Sequence, residues 1–494
     1  MPEVLDRTVI AVPLLSQLTN EAEIAVEEAA PTPTVYPVII DLNLSFHGGP
    51  DGAKERAKEL IDRAISSKAT HATDDQGVNR PKSDLSQQYL FASLQAEVIR
   101  ELVRLDNQQS GQIASSSQRA IFRIWPDFPV KRMIHESVST VKADAAKAAF
   151  AASGDGIVWA VVDSGIEAAH PHFLKHKNLE VPAPMEHQDF SGVKDQPLVD
   201  EFGHGTHVAG IIGGELAATA EKPIRAFARH RDENGEVTYN EVTLTSMAGM
   251  APKCKLLSLK VLNAQGGGLA SNLIAAIAYI QKVNGYGRNI RIHGVNMSVG
   301  YDFEPEWFAC GQSPLCVEVN QLVRSGVVVV VAAGNTGYGW FQSQSLGTVA
   351  VGMDLTINDP GNAEEAITVG STHRVAPHVY GVSYFSSKGP TGDGRLKPDL
   401  VAPGEKILSC AAGTRLEEAR DRAGECDYLE DSGTSMAAPH VSGVIASFLS
   451  IRGEFKGRAQ EVKQVFVSTA TDLKRERSFQ GNGLVDLMRA IQSV

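Results

Sequence analysis

The chain has only five cysteines in 494 residues, too few and odd in number for a disulfide scaffold. Cys310 and Cys316, or Cys410 and Cys426, are close enough in sequence to pair in an oxidising compartment, but free thiols are the expected state. There is no surplus of base either. The 46 Lys and Arg residues stand against 58 Asp and Glu, a net charge of −12, which argues against a nucleic-acid partner whose phosphates must be neutralised. Long apolar runs are also missing. The longest clean one, 327–333, is far shorter than the roughly 18–20 residues that cross a bilayer, so no membrane span is expected. At the start, Glu3, Asp6 and Arg7 precede a short apolar stretch at 9–15 broken by Pro13. This lacks the positive head and small-residue cleavage site of a secretory signal. A cytoplasmic protein is the expectation, and a secreted one the alternative.

With 43% hydrophobic and 21% charged residues, the chain reads as globular and too long for one ordinary domain. Composition changes near residue 135. Before it, alternating patterns predict strands at 36–44, 88–94 and 120–130 and helices at 52–68 and 95–105, an α+β unit. Residues 1–35 read as a tail, and 69–83, rich in polar and small residues, as a long loop. After residue 137 come short, almost wholly apolar strands at 157–162, 255–261, 292–296, 327–332 and 366–370, with helices at 269–282 and 314–325 between them. Strands buried on both faces predict a parallel α/β sheet with helices on both sides. Ligands bind outside the carboxyl ends of such strands, so chemistry is sought just after each apolar run.

Three segments stand there. Asp163-Ser164-Gly165 follows the first strand; alone, such an Asp serves as well for helix capping as for catalysis. Gly203-His204-Gly205-Thr206-His207-Val208-Ala209-Gly210 sets a histidine between glycines that let its backbone crowd a neighbour. His204 and His207 at i and i+3 could be a metal pair, but no third ligand of suitable spacing accompanies them, and no metal site is assigned. Asp431-Ser432-Gly433-Thr434-Ser435-Met436-Ala437-Ala438-Pro439-His440 places a serine on a glycine turn ahead of a helix, where it reads equally as cap or nucleophile.

Taken together, Asp163, His204 and Ser435, in that chain order and in these contexts, resemble the subtilisin-like serine proteases, or subtilases, whose triad order is an established pattern. Ala333-Gly334-Asn335, Phe385-Ser386-Ser387-Lys388-Gly389-Pro390, the run from Lys397-Pro398-Asp399 to Pro403-Gly404, and Gly481-Asn482-Gly483-Leu484-Val485-Asp486 also match, so the resemblance covers about 138–494. It implies a serine endopeptidase with Ser435 as nucleophile, His204 as base, Asp163 orienting the imidazole, and Asn335 in the oxyanion hole. It also implies that protein or peptide substrate lies as a strand between Gly266-Gly267-Gly268 and Ser298-Val299-Gly300, near Ala333 and Gly334, with no essential cofactor. An exopeptidase, or a catalytically silent binding protein, would carry the same fold.

Residues 36–131 resemble, in pattern and position, the ferredoxin-like propeptide domains of subtilases, which assist folding and plug the active site. That implies an intramolecular inhibitor, a linker at 132–141 cut by the enzyme itself, and a peptidase domain over 142–494. A permanent domain that recruits a protein substrate is the alternative. The chain departs from small secreted members in a longer stretch at 215–246, where their calcium loop is not recognisable. His172 stands where they have a calcium-ligating aspartate, so that site is expected to be absent, with calcium elsewhere left open. Insertions at 301–316 and 336–355 carry Trp307, Phe308, Tyr338, Trp340 and Phe341 beside the expected specificity pocket, and Asn358 is placed near its floor.

Overall fold

The computed structural model describes residues 34–68, 76–84, 86–109, 112–113, 116–127, 136–192, 195–219, 222–231, 237–303, 306, 309–343 and 347–494, with 9–11, 14–15 and 18. The chain forms two compact units, Met1–Arg132 and Met133–Val494.

In the first unit β1 (Val35–Leu42), α1 (Gly49–Lys68), β2 (Gly77–Val78), β3 (Tyr89–Gln95), α2 (Ala96–Asp106) and β4 (Ile121–Pro126) follow one another. They build an antiparallel sheet of order β2-β3-β1-β4. Alternate residues Val38, Ile40 and Leu42 of β1 meet Leu60, Ile61 and Ala64 of α1 in one apolar core, because successive strand side chains face opposite ways. Two stretches read as irregular carry structure. Ile10, Leu14 and Leu18, spaced by four as on one helix face, are buried in this core. Within 69–83, residues 69–75 fall outside the described set, but β2 pairs with β3 and Asn79 caps a helical turn at Arg80–Ser83.

The second unit runs through β5 (Val158–Asp163), β6 (Gln188–Asp189), α3 (His204–Ile212), β7 (Ile224–Arg231), β8 (Val237–Leu244), β9 (Lys255–Lys260), α4 (Ala270–Val283) and β10 (Gly294–Met297). It continues through α5 (Pro314–Arg324), β11 (Val328–Ala332), β12 (Tyr338–Ser343), β13 (Gly347–Gly352), β14 (Ile367–His373), β15 (Leu400–Glu405), β16 (Ile407–Cys410), α6 (Gly413–Ala423), β17 (Tyr428–Asp431) and α7 (Thr434–Ile451). Seven strands form a wholly parallel sheet, β15-β14-β11-β10-β5-β9-β6. The chain passes from β5 to β9 on one side and then crosses to β10 on the other, so the order reverses at β5. A crevice opens at such a reversal, and here the carboxyl ends of β9, β5, β10 and β11 stand side by side.

Every residue of β5 is buried, which is why it reads as an unbroken apolar run. The helix α7 is apolar and long enough to cross a membrane, yet 83% of it is packed inside the fold. Small residues kept this helix from reading as one apolar run. The insertion at 215–246 supplies the hairpin of β7 and β8, and β7 joins β17 and β16 in a second sheet, β8-β7-β17-β16. All five cysteines are free and buried.

Candidate active site

Asp163 ends β5 with its side chain wholly buried. Its Oδ1 accepts from the Ser164 backbone N–H at 2.8 Å and lies 2.8 Å from His204 Nδ1. An ionised carboxylate only accepts, so Nδ1 is the donor and the lone pair of the neutral ring sits on Nε2. Burial disfavours the His204 imidazolium, but the Asp163 carboxylate outweighs it, and the pKa lies above its ordinary value.

The histidine is presented by the first turn of α3. A Cβ at Gly205 would collide with the Gly165 carbonyl oxygen, so only glycine lets α3 approach β5 this closely. Asp200, buried and unnoticed in the sequence, holds the turn. It accepts from Ser164 Oγ, the Gly203 and Thr206 backbone N–H groups and Thr206 Oγ1 at 2.6–2.8 Å. Its one sequence signal is an Asp four residues before His204. His207 faces away: Nε2 lies 3.0 Å from the Leu429 carbonyl, and burial pushes its pKa down to about 4, leaving it neutral. The two histidines thus have separate hydrogen-bond partners.

Ser435 sits in the first turn of α7, where backbone N–H groups have no partner within the helix. Its hydroxyl donates to the Ser298 carbonyl at 3.0 Å. Asn335 Oδ1 accepts from the Thr434 N–H at 2.9 Å and the Thr434 hydroxyl at 3.0 Å. That orients the amide and leaves its Nδ2 protons to the cleft. A cleft of about 500 Å³ brings together His204, Ser435 and Asn335.

The matching family model is the subtilase family, the peptidase S8 group, over residues 154–483.

The chain is a subtilase.

Relatives include serine protease AprX of Bacillus subtilis, 30% identical over 350 residues, covering 69% of this chain and 67% of that protein. Pyrolysin of Pyrococcus furiosus is 30% identical over 334 residues, covering 59% of this chain but 21% of that protein. The major intracellular serine protease of Bacillus subtilis is 30% identical over 338 residues, covering 68% and 82%. This subtilase is a serine peptidase, and its family acts on proteins or peptides.

Gly266, Gly268, Ser298, Val299, Gly300 and Gly334 line the subtilase's cleft, as does Asn358. Gly267 bonds back to Asn263, and Ala333 is buried behind the wall that Ala332 forms. A Cβ at Gly334 would sit 2.7 Å from the Asn358 side chain, so glycine there leaves room for Asn358 to line the cleft. Phe202, Leu262, Leu273, Tyr301, Thr336 and Arg415 also line the cleft. Sequence reasoning missed Phe202, two residues before His204, and Arg415, because α6 reads as an ordinary polar helix far along the chain. Of the inserted aromatics, Trp307, Phe308 and the Phe341 side chain lie outside the described residues. Tyr338 and Trp340 are exposed on β12. His172 is buried against Phe173 and Tyr428, with Nδ1 3.1 Å from the Tyr428 hydroxyl. That aromatic setting does not fit the oxygen ligands calcium demands.

Proposed function

We propose that this subtilase is an endopeptidase in which Asp163, His204 and Ser435 act as the triad, following the general scheme of its family. An extended peptide pairs with the edges at Gly266, Gly267 and Gly268 and at Ser298, Val299 and Gly300. The side chain before the cut lies by Gly334. The Ser435 hydroxyl turns from the Ser298 carbonyl to His204 Nε2, loses its proton there and bonds to the scissile carbon. Asp163 keeps the ring in the needed tautomer and stabilises the imidazolium. The oxyanion receives the Asn335 amide and the Ser435 N–H, donors in place before charge develops. His204 then protonates the leaving amine, and water attacks the acyl ester through the same base. Base, nucleophile and oxyanion donors are all protein groups, so the reading asks for no metal or cofactor.

The observation that carries this reading is the 2.8 Å bond from His204 Nδ1 to buried Asp163, in a cleft shared with Ser435. A fluorophosphonate probe tests it. Wild type should label and Ser435→Ala should not; an unlabelled wild type would leave a silent binding protein. Mass spectrometry of a long peptide's products should show internal cuts, whereas trimming from one end would make it an exopeptidase.

The unit before residue 133 is read as an inhibitory propeptide, supported by its position ahead of the peptidase unit and its antiparallel sheet with two helices. The linker at 132–141, of which 132–135 lie outside the described residues, is the proposed self-cleavage region. N-terminal sequencing should find a start there in wild type and an intact chain in Ser435→Ala. Full activity of the uncut chain would favour a permanent recruiting domain. A cytoplasmic place of action belongs to the same reading, supported by a relative named for being intracellular.

A further inference from the structure

The helix α6 brings one charge to the cleft. Among the described residues lining the cleft, Arg415 is the only one with a permanent charge, and none is a carboxylate. Its guanidinium carbon lies 4.9 Å from the centre of the Phe202 ring, and that ring lies 6.4 Å from the ring of His204. Nη1 pairs with Asp431 Oδ2 at 2.5 Å. Asp431 itself lines the two neighbouring cavities and not the cleft. Among the described residues, Nε and Nη2 of Arg415 have no hydrogen-bond acceptor, and the side chain is 31% exposed.

A guanidinium stacked on a ring and pinned at one nitrogen has already lost most of its rotamer freedom, so using its remaining N–H groups costs little further entropy. The group that suits a planar fork of donors is a carboxylate. We infer that Arg415 is a specificity-determining residue which selects peptides carrying Asp or Glu within two residues of the scissile bond, seated against Phe202 on the His204 side of the cleft. The inference rests on the peptidase reading above. Asp431 balances the charge at a distance, so the selection acts through direct contact in the bound complex rather than through long-range steering. Phe202 supplies an apolar wall for the methylene stem of such a side chain, and the counter-charge behind Arg415 fixes the fork.

The test uses internally quenched peptides that differ only in Glu, Gln, Ala or Lys at each position from two before to two after the cut. At one position wild type should cleave the Glu peptide with kcat/KM about tenfold above the Gln peptide, equivalent to about 1.4 kcal/mol. In Arg415→Gln that Glu-to-Gln ratio should fall to near one, and in Arg415→Glu it should invert in favour of Lys. Ratios within one variant are unaffected by a change in the fraction of folded enzyme. Fluorophosphonate labelling of Ser435 is read in parallel. Labelled wild type with no Glu preference, or a preference that survives in Arg415→Gln, overturns the role of Arg415 alone. Wild type that neither labels nor cleaves overturns the peptidase reading and this inference with it.

Discussion

Ser298 and Ser435 exchange two hydrogen bonds, the Ser298 hydroxyl donating to the Ser435 carbonyl at 2.9 Å and the Ser435 hydroxyl to the Ser298 carbonyl at 3.0 Å. The first bond exists because of Pro439. Proline has no N–H, so at four residues beyond Ser435 it leaves that helical carbonyl without its usual donor. Ser298, from the segment after β10, fills the vacancy and ties α7 to the edge of the cleft. The second bond holds the Ser435 hydroxyl at rest.

Ser298→Ala should therefore strand a partly buried carbonyl. The expected loss of stability is about 1–3 kcal/mol, measured by urea unfolding. Activity on a reporter peptide should fall through kcat more than KM, since what loosens is the placement of Ser435. A variant with unchanged unfolding and unchanged kcat would show the tie to be incidental.

Removing the Asn335 amide should act almost wholly on the transition state. Asn335→Leu is expected to lower kcat by about 100- to 1,000-fold, the loss found in this family for such a donor, with KM little changed. Circular dichroism should confirm that the fold survives.

Acid should switch the enzyme off early. The base works as neutral imidazole, and the folded pKa of His204 is raised above 6.5. Protonation therefore removes activity as pH falls through that raised value, and kcat/KM should drop about tenfold per unit below it. His207, held at about 4, adds no proton in this range. In Asp163→Asn the carboxylate is gone while burial remains, so the midpoint of the residual activity should move down. A wild-type midpoint below 6.5 would contradict the assignment.

Stability should depend on a charge cluster at the sheet. Asp399 accepts from Lys397 Nζ at 2.6 Å and the Thr368 N–H at 2.8 Å, and pairs with Lys463 at 3.0 Å. Burial disfavours its charge, but the two lysines outweigh that and hold its pKa below the ordinary value. Its contribution is thus present at neutral pH and lost as pH falls through that lowered pKa. Asp399→Asn leaves buried Lys397 without its counter-ion and should cost about 3–5 kcal/mol in guanidinium unfolding.

What could be read from the sequence was local. Continuous apolar runs identify strands that are buried on both faces, and β5, β9, β10, β11 and β14 all lie within a few residues of the predicted positions. The contexts of Asp163, His204 and Ser435 were legible for the same reason: glycines and small residues next to a reactive side chain record how closely the backbone must pass its neighbour. Asp200 was not legible, because an Asp in a loop looks the same whether it is solvated or gathers four hydrogen bonds.

By itself, then, the sequence determined the parallel sheet, the family, and the residues that chemistry would require at the strand ends, all of which follow from periodicity and short motifs. Only the tertiary structure decided that Ser298 answers the carbonyl freed by Pro439, that Gly334 packs against the Asn358 side chain, and that Arg415 of α6 stands over Phe202. These partners lie between 24 and 213 positions apart in the chain. Hydrogen bonding and ring stacking depend on distance in space, which the order of residues along the chain does not state.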